Sequence, residues 1–491
     1  MSLLSPKEQK YNMRVVMVAS EAKPFCKTGG LADVTYSLSK ELVKMGEDVS
    51  IVLPFYEHIR TRFNPETRLI HHFFVSMSWR REEARVFESQ ADGIKYYFIE
   101  NAHYFDRPNL YGDNDDGERF AFFSLAAREV LYRMEEKPDI VHIHDWQPGM
   151  LPCLIKEDIY ARDFFKKTKF IMTIHNPAFQ GFLDRSALRE IYNLPEYLYD
   201  DGQVRFEGRV STLKAGIVYS DIITTVSPTH HLELLTPEGG RGLDNVLRLR
   251  EWDFLGILNG IDYEEFNPEN DKEIPYNFSV KDVIEKKKLC KKALFEELHI
   301  QDYGQPLFSM VTRITWQKGF DLVFPAVEEL LQRGCNVVIL GSGERDYELR
   351  WEDLRSRYPD KVAIYIGYSD PLAHRIYAAS DFFMMPSLFE PCGLGQMIAQ
   401  RYGTLPIVRR TGGLKDSVIN FDGTNEKTSN GFGFDEYSAW EMTRTCIYAY
   451  DQYQNKPLMT KLIKNAMKTD NSWKKSAEQY LKMYQYAIKT K

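Results

Sequence analysis

A lysine just ahead of a glycine pair, Lys27-Thr-Gly-Gly30, sets a cation beside backbone amides with no side chain in front of them. Glycine lets a ligand approach such N–H groups closely, and a helix start favours anions and hydroxyl oxygens. The residue order differs from a P-loop (GxxxxGK then Ser or Thr) and from the dinucleotide GxGxxG turn, and a lone lysine here also reads as a solvated side chain. A second basic pair, Arg313 and Lys318, flanks a turn ending at Gly319, which suits a diphosphate clamp. In Pro386-Ser-Leu-Phe-Glu390-Pro-Cys-Gly-Leu394 a carboxylate precedes a glycine-started helix. Glu390 is there expected to bond sugar hydroxyls, with the amides of Gly393, Leu394 and Gly395 meeting phosphate. Cys392 reads as packing rather than as a nucleophile, because no His/Asp partner set accompanies it.

Two histidine segments end strands in the first half of the chain. His142-Ile-His144-Asp145-Trp146 places both imidazoles on one strand face, as a metal pair would need, but no third ligand follows at metal spacing. The preferred reading is a hydrogen-bonding wall for a polyhydroxylated ligand, with no metal. His175-Asn176-Pro177 likewise leads into a turn rich in glycine and aromatics. The turn also has an internal echo: Thr28-Gly-Gly-Leu-Ala-Asp33 matches Thr411-Gly-Gly-Leu-Lys-Asp416, which predicts two ligand-facing turns.

The elements that must position these residues follow from hydropathy. Arg14–Ser20, Val49–Leu53, Lys95–Glu100, Ile140–His144, Lys169–His175 and Ile222–Val226 are near-continuous apolar runs, with helical stretches such as Leu31–Met45 and Arg119–Met134 between several of them. That pattern predicts a parallel sheet covered on both faces. It restarts after a polar, lysine-rich stretch with Leu307–Arg313, Asn336–Leu340, Val362–Ile366, Asp381–Met385 and Leu405–Val408. The expectation is an α/β protein of two doubly wound, Rossmann-like domains, residues 13–262 and 263–472, facing across a cleft at the carboxyl ends of their strands. The amphipathic tail 473–491 is expected to join the first domain.

Composition narrows the partners. The 491 residues carry 63 basic and 70 acidic side chains, net −7, so no general basic surface suits nucleic acid or an acidic membrane. No apolar run approaches the ~18 residues of a membrane span, and the opening MSLLSPKEQKYNM lacks the apolar core of a secretory signal. The 6 cysteines are scattered without a CxxC pair, which predicts reduced thiols and a cytoplasmic protein.

Taken together, these segments resemble the glycogen/starch synthases of the bacterial and plant type, retaining glucosyltransferases of GT-B architecture. The matching phrases are KTGGLADV (27–34), HDWQ (144–147), IHNPAFQG (174–181), TVSP (225–228), LNGID (258–262), QKG (317–319), GYSDPLAHRI (367–376), FEPCGL (389–394), RYGTLPIVRRTGGL (401–414) and NGFGF (430–434). The resemblance implies transfer of glucose from ADP-glucose to the non-reducing end of an α-1,4-glucan or maltooligosaccharide, without a cofactor. It implies that Lys27 touches the donor diphosphate, with Gly30 in the same turn, and that Arg313 and Lys318 clamp that diphosphate. Glu390 falls at the donor glucose, and His175, with Asn176 beside it, at the reacting sugar. Asp145 and Asp33 become hydroxyl partners, Tyr368 stacks on the base, and Cys392 to Gly395 line the donor loop.

Some positions depart from the family pattern: Leu388 for an arginine, Gly395 and Asn430 for threonines, and Tyr36 and Ser39 where small residues and proline are common. Leu388 and Gly395 flank the donor loop, so donor affinity and base preference are the properties they affect. Two alternatives share the architecture: a phosphorylase using pyridoxal phosphate, which needs a Schiff-base lysine, and a catalytically silent glucan-binding protein. A diphosphate clamp argues against the second.

Overall fold

The computed structural model describes residues 12–63 and 67–490; the opening segment 1–11, read above for a signal, lies outside them. The chain divides into two compact units. Among the described residues, the first comprises those up to 226, 231–257 and those from 476 onward, and the second 227–230 and 258–475.

The first unit is built on a nine-stranded sheet. Its strands are β1 (Arg14–Val18), β2 (Asp48–Pro54), β3 (Arg68–Met77), β4 (Arg80–Ala91), β5 (Ile94–Glu100), β6 (Ile140–His144), β7 (Lys169–Ile174), β11 (Ile222–Thr225) and β12 (Phe254–Gly256). The order is β12-β11-β7-β6-β1-β2-β5-β4-β3. From β12 to β5 every pairing is parallel, and all of these strands except the short β12 are the apolar runs read from sequence. The expected wholly parallel sheet is corrected at one edge, where β3, β4 and β5 pair antiparallel. Burial alternates along Phe73–Met77 because this edge is solvated on one face. The local signal was the Asp92-Gly93 dipeptide, whose two positive φ angles (50° and 78°) make the tight turn between β4 and β5. A small antiparallel sheet of β8 (Phe182–Leu183), β10 (Arg209–Ser211) and β9 (Arg205–Phe206) was also not foreseen.

The second unit contains β13 (Leu307–Val311), β14 (Asn336–Gly341), β15 (Val362–Ile366), β16 (Phe382–Met385), β17 (Leu405–Arg409) and β18 (Phe432–Phe434). Their order, β15-β14-β13-β16-β17-β18, is the doubly wound order of nucleotide-binding sheets, and all pairings are parallel. Phe308, Met310, Val337, Ile339, Phe382 and Ile407 fill its core together with the fully buried Trp351. In both sheets the strand order reverses beside the first strand, so ligand-binding loops are expected after β1, β6 and β7 in one unit and after β13 and β16 in the other.

The last helix, Trp473–Lys489, buries Ala477, Tyr480, Tyr484 and Ala487, one helical stripe. From Ser476 onward it groups with the first unit, where Tyr484 Oη lies 2.7 Å from His142 Nδ1. Among the described residues no helix is long and apolar enough to cross a membrane.

Candidate active site

In the first unit the neighbours β7-β6-β1 bring three strand ends side by side. The loop after β1 carries Lys27 to the start of the helix Gly30–Lys44. Lys27 is exposed, and its Nζ lies 3.0 Å from Asp33, which also binds Lys23 Nζ at 2.6 Å. Asp33, expected as a hydroxyl partner, therefore first holds two ammonium groups in place. A Cβ on Gly29 or Gly30 would meet nothing within 4 Å, so space is open in front of this turn.

A residue missed by sequence reasoning organises that turn. The Glu21 carboxylate, 3% exposed, accepts from Thr28 N (2.5 Å), Thr28 Oγ1 (2.6 Å) and, at 3.4 Å, Gly29 N. It also accepts from Tyr111 Oη at 2.7 Å. Of the two glycine amides expected to face a ligand, that of Gly29 is thus already bonded to a protein carboxylate, in the position a helix start offers an anion. No short motif marks Glu21; only the turn's return to the end of β1 reveals it.

The histidine wall is corrected. His142 and His144 are both 0% exposed and cannot line a ligand surface. His142 bonds Tyr484 Oη and, at 2.6 Å, Thr173 Oγ1, while His144 Nδ1 lies 3.0 Å from His175 Nε2. Only His175, half-buried after β7, faces outward from this row. Burial pushes the imidazoles of His142 and His175 down to about 3, so both are neutral. Asp145, at φ 59°, accepts from the amides of His175 (2.7 Å) and Asn176 (3.4 Å) and so shapes their turn. Burial pushes its carboxyl up to about 7 against those two bonds. Asn176 Oδ1 in turn accepts from Ala178 N at 3.0 Å.

In the second unit the turn after β13 docks on the loop after β16. Gly319 takes φ 74°, and a Cβ there would lie 2.2 Å from Pro386 O, so glycine is required for this approach. Leu388 N donates to Gln317 O (2.8 Å) and Gln317 Nε2 to Phe389 O (3.1 Å). Across this seam Lys318 Nζ meets Glu390 Oε2 at 2.5 Å, and Ser387 Oγ donates to the same oxygen at 3.0 Å. Arg313 is exposed and its guanidinium has no partner among the described residues. The amides of Gly393, Leu394 and Gly395, at the start of the helix Gly395–Arg401, likewise find no acceptor there. A free guanidinium, a paired lysine and three open amides are the groups of this unit whose chemistry suits an anion, and the lysine's carboxylate partner is Glu390. Cys392 contributes packing: its thiol is buried and pushed up to about 12. Tyr368, just past β15, is 76% exposed, and its hydroxyl bonds Asp370.

The echo of the glycine turn is corrected too. A Cβ on Gly412 would lie 2.0 Å from Glu390 O and one on Gly413 2.3 Å from Cys392 O. These glycines admit the protein's own loop after β16 rather than a ligand, and Gly413 N donates to Glu390 O at 3.2 Å. A second missed candidate is Asn259, buried beside Cys392 with its Oδ1 unpartnered among the described residues. It stood inside the LNGID phrase, whose polar member had no assigned role.

The departures from the family pattern have local partners. Tyr36 Oη donates to Asp92 of the β4–β5 turn (2.6 Å), and Ser39 Oγ to Thr35 O (2.7 Å). Asn430 accepts from Ile419 N (2.7 Å) and donates to Thr469 Oγ1 (3.1 Å). Arg409 bonds the carbonyls of Ser387 and Leu388, holding that backbone without help from the Leu388 side chain. A Cβ on Gly395 would come 3.0 Å from the Phe383 ring, which favours glycine at that position.

Comparison with known proteins matches both units. The family model for the starch synthase catalytic domain covers residues 14–249, and that for glycosyl transferases group 1 covers 293–469. The chain is 46% identical over 96% of its length to a glycogen synthase of Clostridium beijerinckii, spanning 98% of that protein. It is 44% identical to a glycogen synthase of Geobacillus thermodenitrificans, with 97% and 98% covered. Among solved structures it resembles the catalytic domain of starch synthase IV from Arabidopsis thaliana bound to ADP and acarbose. That match has TM-score 0.89 and 34% identity, and covers 97% of this chain and 100% of the other.

Proposed function

Because the chain belongs to the glycogen and starch synthase family of GT-B glycosyltransferases, we propose that it takes ADP-glucose as donor and extends an α-1,4-glucan or maltooligosaccharide at its non-reducing end. Glucosyl transfer in glycogen or starch synthesis is the family's reaction, and this chain is an enzyme of that class. The observation that carries the donor assignment is the second unit's anion site: unpaired Arg313, Lys318 paired to Glu390, and the open amides of Gly393 to Gly395. The ADP bound to the Arabidopsis relative supports the choice of base.

On this reading Arg313, Lys318 and Lys27 neutralise charge developing on the departing β-phosphate, the main electrostatic task of the reaction. Glu390 bonds the donor glucose, and His175, with Asn176 beside it, lies at the reacting sugar. Asp145 holds the His175 turn, Asp33 holds Lys27, and Gly30 leaves room for the diphosphate. Tyr368 stacks on adenine, and Cys392 shapes the donor loop from beneath. Configuration is retained: the acceptor hydroxyl attacks C1 from the face the diphosphate leaves, and the leaving phosphate takes its proton. No second carboxylate acts as a glycosidase-like nucleophile.

A Schiff-base role finds no support at the most perturbed lysine among the described residues. Lys287, which burial pushes down to about 7, directs its Nζ at the carbonyls of Ala378 and Tyr402 and at Thr404 Oγ1. Six buried, unlinked cysteines support residence in the reducing cytoplasm. The test is incubation of purified protein with ADP-glucose or UDP-glucose and maltooligosaccharide. Nucleotide diphosphate and lengthened chains are expected, faster with ADP-glucose. Equal or higher initial rates with UDP-glucose overturn the base assignment.

A further inference from the structure

The buried histidine row has a direction that its hydrogen bonds reveal. In the β6–β7 register His144 pairs with Thr173, so His142, His144, Thr173 and His175 all share one face. His142 stacks on His144 with ring centroids 4.3 Å apart, and the His144 and His175 rings lie 5.3 Å apart. All three imidazoles are shifted to the neutral form by burial, so each carries a single ring proton. Between His144 Nδ1 and His175 Nε2, 3.0 Å apart, one nitrogen must donate and the other accept.

The far side of His144 decides which. Its Nε2 is buried and has no partner among the described residues. Were His144 Nδ1 the acceptor, the ring proton would sit on that Nε2, leaving a buried N–H with nothing to bond. Orphaned buried donors are rarer in proteins than under-satisfied acceptors. The proton therefore belongs on His144 Nδ1, which donates to His175 Nε2. The proton of His175 is then left on Nδ1, where no protein partner lies among the described residues. His142 keeps the His144 ring in place, itself held by Tyr484 Oη at 2.7 Å and Thr173 Oγ1 at 2.6 Å.

We propose that His144 is a positioning residue that locks His175 as its Nδ1–H tautomer, making it a neutral hydrogen-bond donor to an oxygen of the reacting sugar. The inference rests on the reading that His175 lies at that sugar. In this tautomer His175 has no free lone pair at Nδ1 and cannot serve there as a general base. Proton acceptance is thereby left to the leaving phosphate.

The direct test is proton–nitrogen correlation spectroscopy of full-length protein labelled with ¹⁵N-histidine, with His175 assigned by the signal lost in His175→Gln. A protonated Nδ1 and bare Nε2 are expected at neutral pH; a protonated Nε2 overturns the proposal. Kinetics give an independent reading. His144→Phe keeps an aromatic ring against His142 but removes the donor, and should lower kcat roughly ten- to hundred-fold, as for other partners that orient a functional histidine. The donor KM should move less. His144→Asn, whose amide nitrogen replaces Nδ1, should restore kcat to within about threefold of wild type. Wild-type kcat in a folded Phe variant, or an Asn variant as slow as His175→Ala at an unchanged Tm, overturns the proposal. If the Phe variant does not fold, the spectrum and the Asn variant decide. Full activity in His175→Ala would instead remove His175 from the active site, while the tautomer assignment would still stand or fall on the spectrum.

Discussion

Lys318 Nζ and Glu390 Oε2 lie 2.5 Å apart, with their side chains only 14% and 10% exposed, and so tie the turn after β13 to the loop after β16. Each charge replaces water around the other, so removing one strands its partner away from solvent. Arg313, five residues earlier, has no such duty.

The two residues of the proposed clamp should therefore behave differently when truncated. Arg313→Ala should lower donor kcat/KM roughly ten- to thousand-fold with an unchanged Tm, as expected for loss of a preorganised charge. Lys318→Ala should lose a comparable amount of activity and also about 1–3 kcal/mol of stability from the stranded carboxylate. Steady-state kinetics and thermal melts measure both; normal turnover in either variant removes that residue from the site.

Tyr368 offers an exposed ring beside the carboxyl end of β15. A stacking contact of about 0.5–1.5 kcal/mol predicts that Tyr368→Ala raises the donor KM roughly two- to twelve-fold and changes kcat less. A fall in kcat at constant KM would show that the ring does not stack on the base.

Glu21 Oε2 accepts from the amides of Thr28 and Gly29, and Oε1 accepts from the hydroxyls of Thr28 and Tyr111. Glu21→Gln keeps a carbonyl oxygen for the two amides but puts its N–H₂ against the two hydroxyls, which must then turn to accept. It also gives up the charge-assisted bonds, at a cost of about 1–3 kcal/mol. A lowered Tm and a raised donor KM are expected together, because the same turn carries Lys27. Tyr111→Phe, which removes one donor, should be milder in a denaturant titration.

His374 Nδ1 lies 2.7 Å from Asp271 Oδ2, and Tyr402 Oη also donates to Asp271. This pairing raises the His374 pKa and lowers that of Asp271 against the opposing effect of burial. The raised histidine adds stability that is fully present below its unfolded value, near 6.5, and is lost as pH rises through the higher folded value. The lowered carboxyl adds stability above its unfolded value, near 3.9, which is lost as pH falls through the folded one. Unfolding free energy should thus fall from pH 6 toward pH 8, and His374→Gln should flatten that slope. An identical slope in the variant would show that the pair does not titrate in this window.

The strand runs and the clustering of basic and glycine residues at strand ends were readable in the sequence because they are local. A parallel strand buried on both faces must be apolar along its length, and a glycine turn announces itself within a few residues. Asp92-Gly93 shows that even the antiparallel edge left a local mark, although the alternating residues before it were not read as strands. What faces those turns was not local. Glu21 reaches Thr28 only because the loop after β1 folds back on itself. Gly412 and Gly413 meet Glu390 and Cys392 instead of a ligand because β16 and β17 are neighbours in the sheet. His142 and His144 point along one face by the strand's period, but only the docked helix Trp473–Lys489 and the register with β7 bury that face and leave His175 as the outward member. The sequence by itself determined the parallel strands of both sheets and the clustering of basic and glycine residues at their carboxyl ends. Only the tertiary structure decided which polar groups remain free for a ligand, because that depends on what distant segments of the chain bury and bond.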